Sequence, residues 1–227
     1  LYNSDKILVG GDFPQLNGSF RGGLGRLNLD STLDSSFVGS LGYLTTINAF
    51  HNFPSGKILV AGGFDAIGTS FHRYVAMLNS NGSVDNSFVI DPRVDHVVYS
   101  VAVQTDGKIL LGGYTGDSGF GSTLGKGVWR INADGSLDTT FDTQIAALES
   151  VWSVALQADG KILIGGGFTA VNGTSRTGLA RLETNGSLDT AFNTILGGNA
   201  YVATAIVEPN GKIAIIGNFS GVNGVNR

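Results

Sequence analysis

Apolar residues in this chain come in short runs closed by glycine-bearing turns, and no stretch carries helical spacing. Residues 151–193 show the pattern most fully. "VWSVALQ" reads as one strand, rich in β-branched and aromatic residues, and "ADG" turns the chain at Asp159-Gly160. "KILIGGGF" follows as a second strand ending in glycines, which permit a bulge or a close backbone approach. The loop "TAVNGTSR" leads to a third strand in "TGLARLE", and the turn "TNG" leads to a fourth in "SLDTAF". Apolar residues occupy both faces: Val151, Val154 and Leu156 in the first strand, Ile162, Leu163 and Ile164 in the second. A small meander with two oily faces is marginal alone and needs neighbours on both sides.

The neighbours are written into the chain. The second-strand motif recurs with its lysine at 6, 57, 108, 161 and 212, at intervals of 51, 51, 53 and 51 residues. The "SLDTAF" string keeps step, with its phenylalanine at 37, 88, 141 and 192. A period of this size marks a repeat architecture. Antiparallel hairpins stacked face to face predict an all-β fold, a β-propeller of four-stranded antiparallel blades about 51 residues each. A parallel β-helix is the competing reading, but the tight turns favour antiparallel pairing. The blades fall at approximately 44–89, 97–142 and 151–193, with partial blades at 1–38 and 201–227, all in a single segment 1–227. Five second strands stand against four of each other strand, so the expectation is an incomplete arc of a larger ring, about six or seven blades in all. The rest would lie elsewhere in one long polypeptide.

The joint pattern of "DGKIL", a trailing glycine pair and Phe, an "NG" turn, "LARLE" and "SLD" before Phe resembles the delta-sixty repeat across essentially the whole chain. That family occurs in large bacterial surface and secreted proteins and in phage proteins. The resemblance implies a propeller and an extracellular, cell-surface or virion setting, and it brings no catalytic residues with it.

Composition narrows the chemistry. Glycine is abundant at 35 residues, but without the triplet period of collagen, and the net charge of −4 offers no basic footprint for nucleic acid. No apolar run has the length of a membrane span, and the absence of cysteine removes disulfides and thiolate metal sites. The histidines His51, His72 and His96 occupy unrelated phases, with no partner at metal-ligand spacing. "NADGSLD" at 132–138 resembles the start of a calcium loop but lacks the distal glutamate, and an Asx turn explains it better. Asn17, Asn81, Asn172 and Asn185 fit the glycosylation pattern and sit in turns. No cofactor or metal is called for.

Three charged columns repeat. The aspartates are Asp34, Asp85, Asp138 and Asp189. One basic column is Arg21, His72, Arg176 and Arg227, the other Arg26, Met77, Arg130 and Arg181. A tie is needed at every blade and an active site only once, so Arg21, Arg176, Arg26, Arg130 and Arg181 read as structural partners of the aspartates. The repeat lysine reads as an ordinary strand-start residue with a wet ammonium. Function grafted on a repeat belongs where one copy departs. The third copy does so, replacing the motif Phe by Thr115 and lengthening its loop, and Tyr114, Asp117, Phe120, Lys126 and Trp129 there form the candidate binding set. "VIDPRVDHVVYS" is the other irregular stretch and reads as a solvated connection.

The expectation is a non-enzymatic scaffold and recognition module for protein subunits or surface glycans, without nucleic-acid contact or membrane insertion. One alternative is a lectin with sugar pockets between blades; Tyr99 and Trp152 share a register for it, whereas Asn48 and Ala203 fill that column elsewhere. The other is a hydrolase or lyase with one site at the propeller mouth, for which Glu149, Glu183 and Glu208 supply no common phase.

Overall fold

A computed structural model describes residues 5–40, 46–116, 126–145 and 148–226. They form strands, turns and bends with no helix among them. The chain divides into two compact units, Leu1–Val98 and Tyr99–Arg227.

The first unit contains β1 (Lys6–Gly10), β2 (Gln15–Leu16), β3 (Ser19–Phe20) and β4 (Leu24–Asn28), then β5 (Thr46–Asn52), β6 (Ile58–Gly63), β7 (Ala66–Ile67), β8 (Ser70–Phe71) and β9 (Val75–Leu78). β1 pairs with β4, and β5, β6 and β9 form a three-stranded sheet. The second unit opens with β10 (Val98–Val103), whose first residue closes the unit before it, followed by β11 (Ile109–Gly113) and β12 (Val128–Ile131). Next come β13 (Val151–Leu156), β14 (Ile162–Gly166), β15 (Ala170–Val171), β16 (Thr174–Ser175) and β17 (Leu179–Leu182). β18 (Tyr201–Val207), β19 (Ile213–Asn218), β20 (Gly221–Val222) and β21 (Val225–Asn226) complete it. Its sheets run β10-β11-β12, β13-β14-β17 and β18-β19. All pairings with a resolved register are antiparallel, as the hairpin turns require.

Two details depart from the sequence reading. The fourth strand shrinks to a single bridge in each copy, Leu27↔Leu33, Leu78↔Val84, Ile131↔Leu137 and Leu182↔Leu188. The next residue is the repeat aspartate, whose carboxylate draws the chain into a turn before a strand can extend. Conversely, the loop between second and third strands holds its own two-residue hairpin: β2–β3, β7–β8, β15–β16 and β20–β21. Asn17, Asn172 and Asn223 take φ near 50°, followed by Gly at 75–80°, the geometry of a type I′ turn.

The first strand is bulged beside the glycine pair. Register slips between Ile47 and Ala49, Val151 and Ser153, and Val202 and Thr204. A Cβ on Gly62, Gly166 or Gly217 would strike the backbone oxygen of Thr46, Ser150 or Tyr201 at 1.9, 2.0 or 2.1 Å. Only glycine lets the chain pass so close, and this explains the fixed second glycine of the motif.

The core lies between sheets. In the first unit Leu8, Leu24 and Phe37 of the first blade join Ile47, Ile58 and Val60 of the second. In the second unit Leu110 and Val128 of one blade meet Val151, Val154, Ile162 and Ile164 of the next. Leu163 and Leu179 then meet Val202 and Ala205. Successive residues of the second strand therefore face opposite neighbours: Ile162 and Ile164 one way, Leu163 the other.

Candidate functional site

A charged node centred on the repeat aspartate recurs in four copies. Asp138 is its centre. Its Oδ1 accepts the Thr140 backbone N–H at 3.0 Å and the Thr140 hydroxyl at 2.6 Å. Its Oδ2 accepts Arg130 Nε at 2.8 Å and Lys108 Nζ at 2.7 Å. The Arg130 guanidinium lies over the Phe141 ring at 4.8 Å, and its Nη1 donates to the Thr184 carbonyl of the following blade. Asp34 repeats this with Arg26 Nε at 2.8 Å, Lys6 Nζ at 3.4 Å, the Phe37 ring at 4.8 Å and Ser80 O as the strap. Asp189 repeats it with Arg181 at 2.8 Å, Lys161 at 2.7 Å and Phe192 at 4.7 Å, while Glu183 also accepts Lys161.

Asp85 is the odd member. Met77 stands in the arginine position, so the salt bridge to Asp85 comes from Lys57, at 2.5 Å. Asp34, Asp138 and Asp189 are 4–6% exposed, and Asp85 is less covered.

The node keeps its carboxylates charged. Hydrogen bonds from Ser36 and Arg26 outweigh burial at Asp34 and hold it well below the usual range. Burial pushes the Asp138 carboxyl up, but Lys108, Thr140 and Arg130 together outweigh it and the net direction is down. Lys57 and then Ser87 bring Asp85 down to about 2, and Lys161 and Arg181 do the same for Asp189. Groups locked ionised and saturated with donors suit a tie and have no proton to exchange near neutrality.

In four copies the repeat lysine thus joins the node while its side chain stays 26–45% exposed. Its separation from the aspartate, 28 residues in three copies and 30 in the other, is the signal that the sequence carries for it. Arg21 and Arg176 are placed elsewhere. Arg21 donates to Phe20 O at 3.5 Å and Arg176 to Ser175 O at 2.8 Å, and neither guanidinium shows a bond to a repeat aspartate.

The third-copy set separates. Trp129 lies in β12 at 2% exposure and packs in the interior, so it offers no surface to a ligand. Lys126 is exposed and pairs with Asp142 at 2.7 Å. Tyr114 is half-buried and bridges Ser150. Asp117 and Phe120 lie outside the described residues. Thr115, in place of the motif Phe, exchanges bonds with the Glu149 backbone through its hydroxyl. In "VIDPRVDHVVYS", Arg93 forks onto Asp91 at 2.8–2.9 Å and His96 meets Asp95 at 2.5 Å.

The position that varies while its geometry stays fixed is the bulge in the first strand. It holds Asn48, Trp152 and Ala203. A bulge re-aims its side chain. Asn48 reaches the Val98 carbonyl at 2.9 Å, and Trp152 packs edge-on to Tyr201 with ring centres 5.5 Å apart. Tyr201 is 39% exposed, and with Tyr99, Tyr114 and Trp152 it gives the second unit a group of partly exposed aromatics. Among the described residues, no three His, Asp or Glu side chains gather as a metal site.

Residues 3–37, 54–88, 104–141 and 157–192 match the model of a β-propeller domain of unknown function, DUF5122. No curated protein matches the chain. Among solved structures it is similar to the extracellular domain of a B. thetaiotaomicron protein described as a one-component system, with TM-score 0.54 and 17% identity. The similarity covers 98% of this chain and 26% of that one. It is also similar to a Bacteroides caccae protein of unknown function, with TM-score 0.55 and 16% identity, over 93% of this chain and 64% of the other. The chain thus spans less than two thirds of either, and at such identity the likeness is one of fold.

Proposed function

The chain belongs to the DUF5122 β-propeller family, and from that premise we propose that it is a non-enzymatic scaffold and recognition segment of an extracellular, cell-surface or virion protein. In this reading its repeats are of the delta-sixty type and form one continuous array. The observation that carries it is the contrast between two columns. The Asp–Lys pair recurs in four copies, with an arginine added in three of them, whereas the bulge position keeps its geometry and changes its side chain. A constant tie with a variable displayed residue suits recognition carried on a rigid frame. The extracellular domain among the structural neighbours supports the location.

Glycans or protein subunits meet the partly exposed aromatics of the second unit, Tyr99, Tyr114, Trp152 and Tyr201. Trp152 is the natural reporter, since the other tryptophan, Trp129, is buried. The test is titration of the chain with defined bacterial polysaccharides and cell-wall fragments, read by Trp152 emission and by product analysis. Binding without turnover, weakened at least tenfold by Trp152→Ala (about 1.4 kcal/mol or more), is the expected result. Turnover abolished by substituting a single acid would replace this reading with the enzymatic one.

A further inference from the structure

Within each unit a blade meets its successor through two second-strand positions, two and four residues after the repeat lysine. In the three copies whose successor lies in the same unit they hold leucine and glycine: Leu8 and Gly10, Leu110 and Gly112, Leu163 and Gly165. The small position is a hole. A Cβ on Gly10 would stand 2.8 Å from Ile47 Cγ2, on Gly112 2.7 Å from Val154 Cγ2, and on Gly165 2.8 Å from Val202 Cγ1. The next blade's first strand fills that hole with a branched knob, ten residues before its lysine in two of these seams. Ala102 and Ala155, six residues before their lysines, pack into the same seams.

The fifth copy inverts these sizes. Ile206, Ala214 and Ile216 stand where the fourth has Ala155, Leu163 and Gly165. Ile206 is 50% exposed and Ile216 64%, on a face where the two preceding blades bury Leu110, Gly112, Leu163 and Gly165 and half-bury Ala102 and Ala155 against a neighbour. A branched knob seated as in the earlier seams would need the space that Ile216 fills, where a bare Cβ is already too close.

We propose that the outward face of β18–β19 docks one further blade of this repeat, of a kind whose knob position holds Gly or Ala. A second copy of this chain does not fit, because the knob positions here are Ile47, Val98, Val151 and Val202, all branched. The face continues the seams already formed between consecutive blades of the second unit, and its apolar pair matches a blade and not a hydrated partner. Inverted sizes admit one neighbour and reject the rest, which fixes the order of blades. The inference rests on blade packing and stands whether or not the module binds glycans.

The test extends the whole chain with a second copy of residues 177–227, which keeps the 51-residue register because Arg227 repeats Arg176. Four chains are compared. The appended knob, the copy of Val202, is either kept as Val or made Ala, and each version is built with Ile216 retained and with Ile216→Gly. Hydrogen exchange is read in the appended first strand. Exchange slowed about tenfold or more is expected for the Ala knob with Ile216 retained and for the Val knob with Ile216→Gly, and not for the Val knob with Ile216 retained. Equal protection of the Val knob with and without Ile216→Gly would overturn the selectivity. No protection in any of the four chains would overturn the docking surface.

Discussion

Arg130 Nε and Asp138 Oδ2 stand 2.8 Å apart, with both side chains less than a tenth exposed. Removing one partner of so covered a pair leaves the other buried and uncompensated, at a cost of about 3–5 kcal/mol. Arg130→Met copies the arrangement that Met77 gives the second copy, where Lys57 remains as the aspartate's counter-ion. Lys108 would likewise remain for Asp138, so we expect a smaller loss, about 1–3 kcal/mol. Asp138→Asn should cost more than Asp85→Asn, because Asp85 is less covered and its salt bridge has one cation instead of two. Urea unfolding of the three variants checks this order.

Acid should act through the same nodes. The folded-state values of Asp85 and Asp189, about 2, lie below the ordinary 3.8, so the unfolded chain binds more protons in that interval. Stability from these groups is complete above about pH 4 and is lost as pH falls through about 2. Asp34 and Asp138 shift the same way and add to the slope. Melting temperature measured from pH 6 down to 2 should fall, and Asp85→Asn should flatten the fall.

The two motif glycines should not tolerate side chains equally. At Gly165 an added Cβ meets a Val202 methyl at 2.8 Å, but at Gly166 it meets the Ser150 backbone oxygen at 2.0 Å. A methyl group can yield by small repacking, whereas the carbonyl is main chain just ahead of the bulged strand. Gly165→Ala is expected to cost about 1–3 kcal/mol. Gly166→Ala should cost more, seen as the lower urea midpoint of the two.

Asn172 combines a left-handed backbone with two bonds to the preceding connection. Its backbone N–H donates to Gln144 O at 2.8 Å, and its side-chain oxygen accepts the Gln144 N–H at 2.7 Å. Asn172→Ala loses the second bond, and with it the 3.3 Å bond that the side-chain N–H donates to Gly186 O, and strains φ, for about 1–2 kcal/mol. Asn172→Gly relieves the strain and still loses those bonds, so its melting temperature should lie between wild type and Ala.

Much of this is legible in the sequence, for definable reasons. Lys161, Ile162 and Phe168 repeat with Asp189 and Phe192 at one period, and a period survives any uncertainty about where strands end. The aspartate–arginine tie follows from Arg130 and Asp138 recurring together. Three features stay hidden. Lys108 looks like a solvated strand start because its partner is 30 residues away, across the blade. "VNGT" at 171–174 reads as loop, although Asn172-Gly173 is a hairpin signal, because the strands on either side are two residues long. Trp129 looks available for contact because it lies beside an irregular loop, but β12 buries it, and burial depends on the sheet that packs over the strand. The sizes of Ile206, Ala214 and Ile216 gain meaning only when the seam is seen.

The central claim is that consecutive blades stabilise each other through their faces, and Val202→Ala with residue-resolved hydrogen exchange tests it most directly. Val202 belongs to β18 and presses on Gly165 in β14, 37 residues earlier. If blades support each other, trimming this side chain speeds exchange in β14 as well as in β18 and β19, by about tenfold for each 1.4 kcal/mol lost. Faster exchange confined to β18 and β19, with β14 unchanged, would contradict the account.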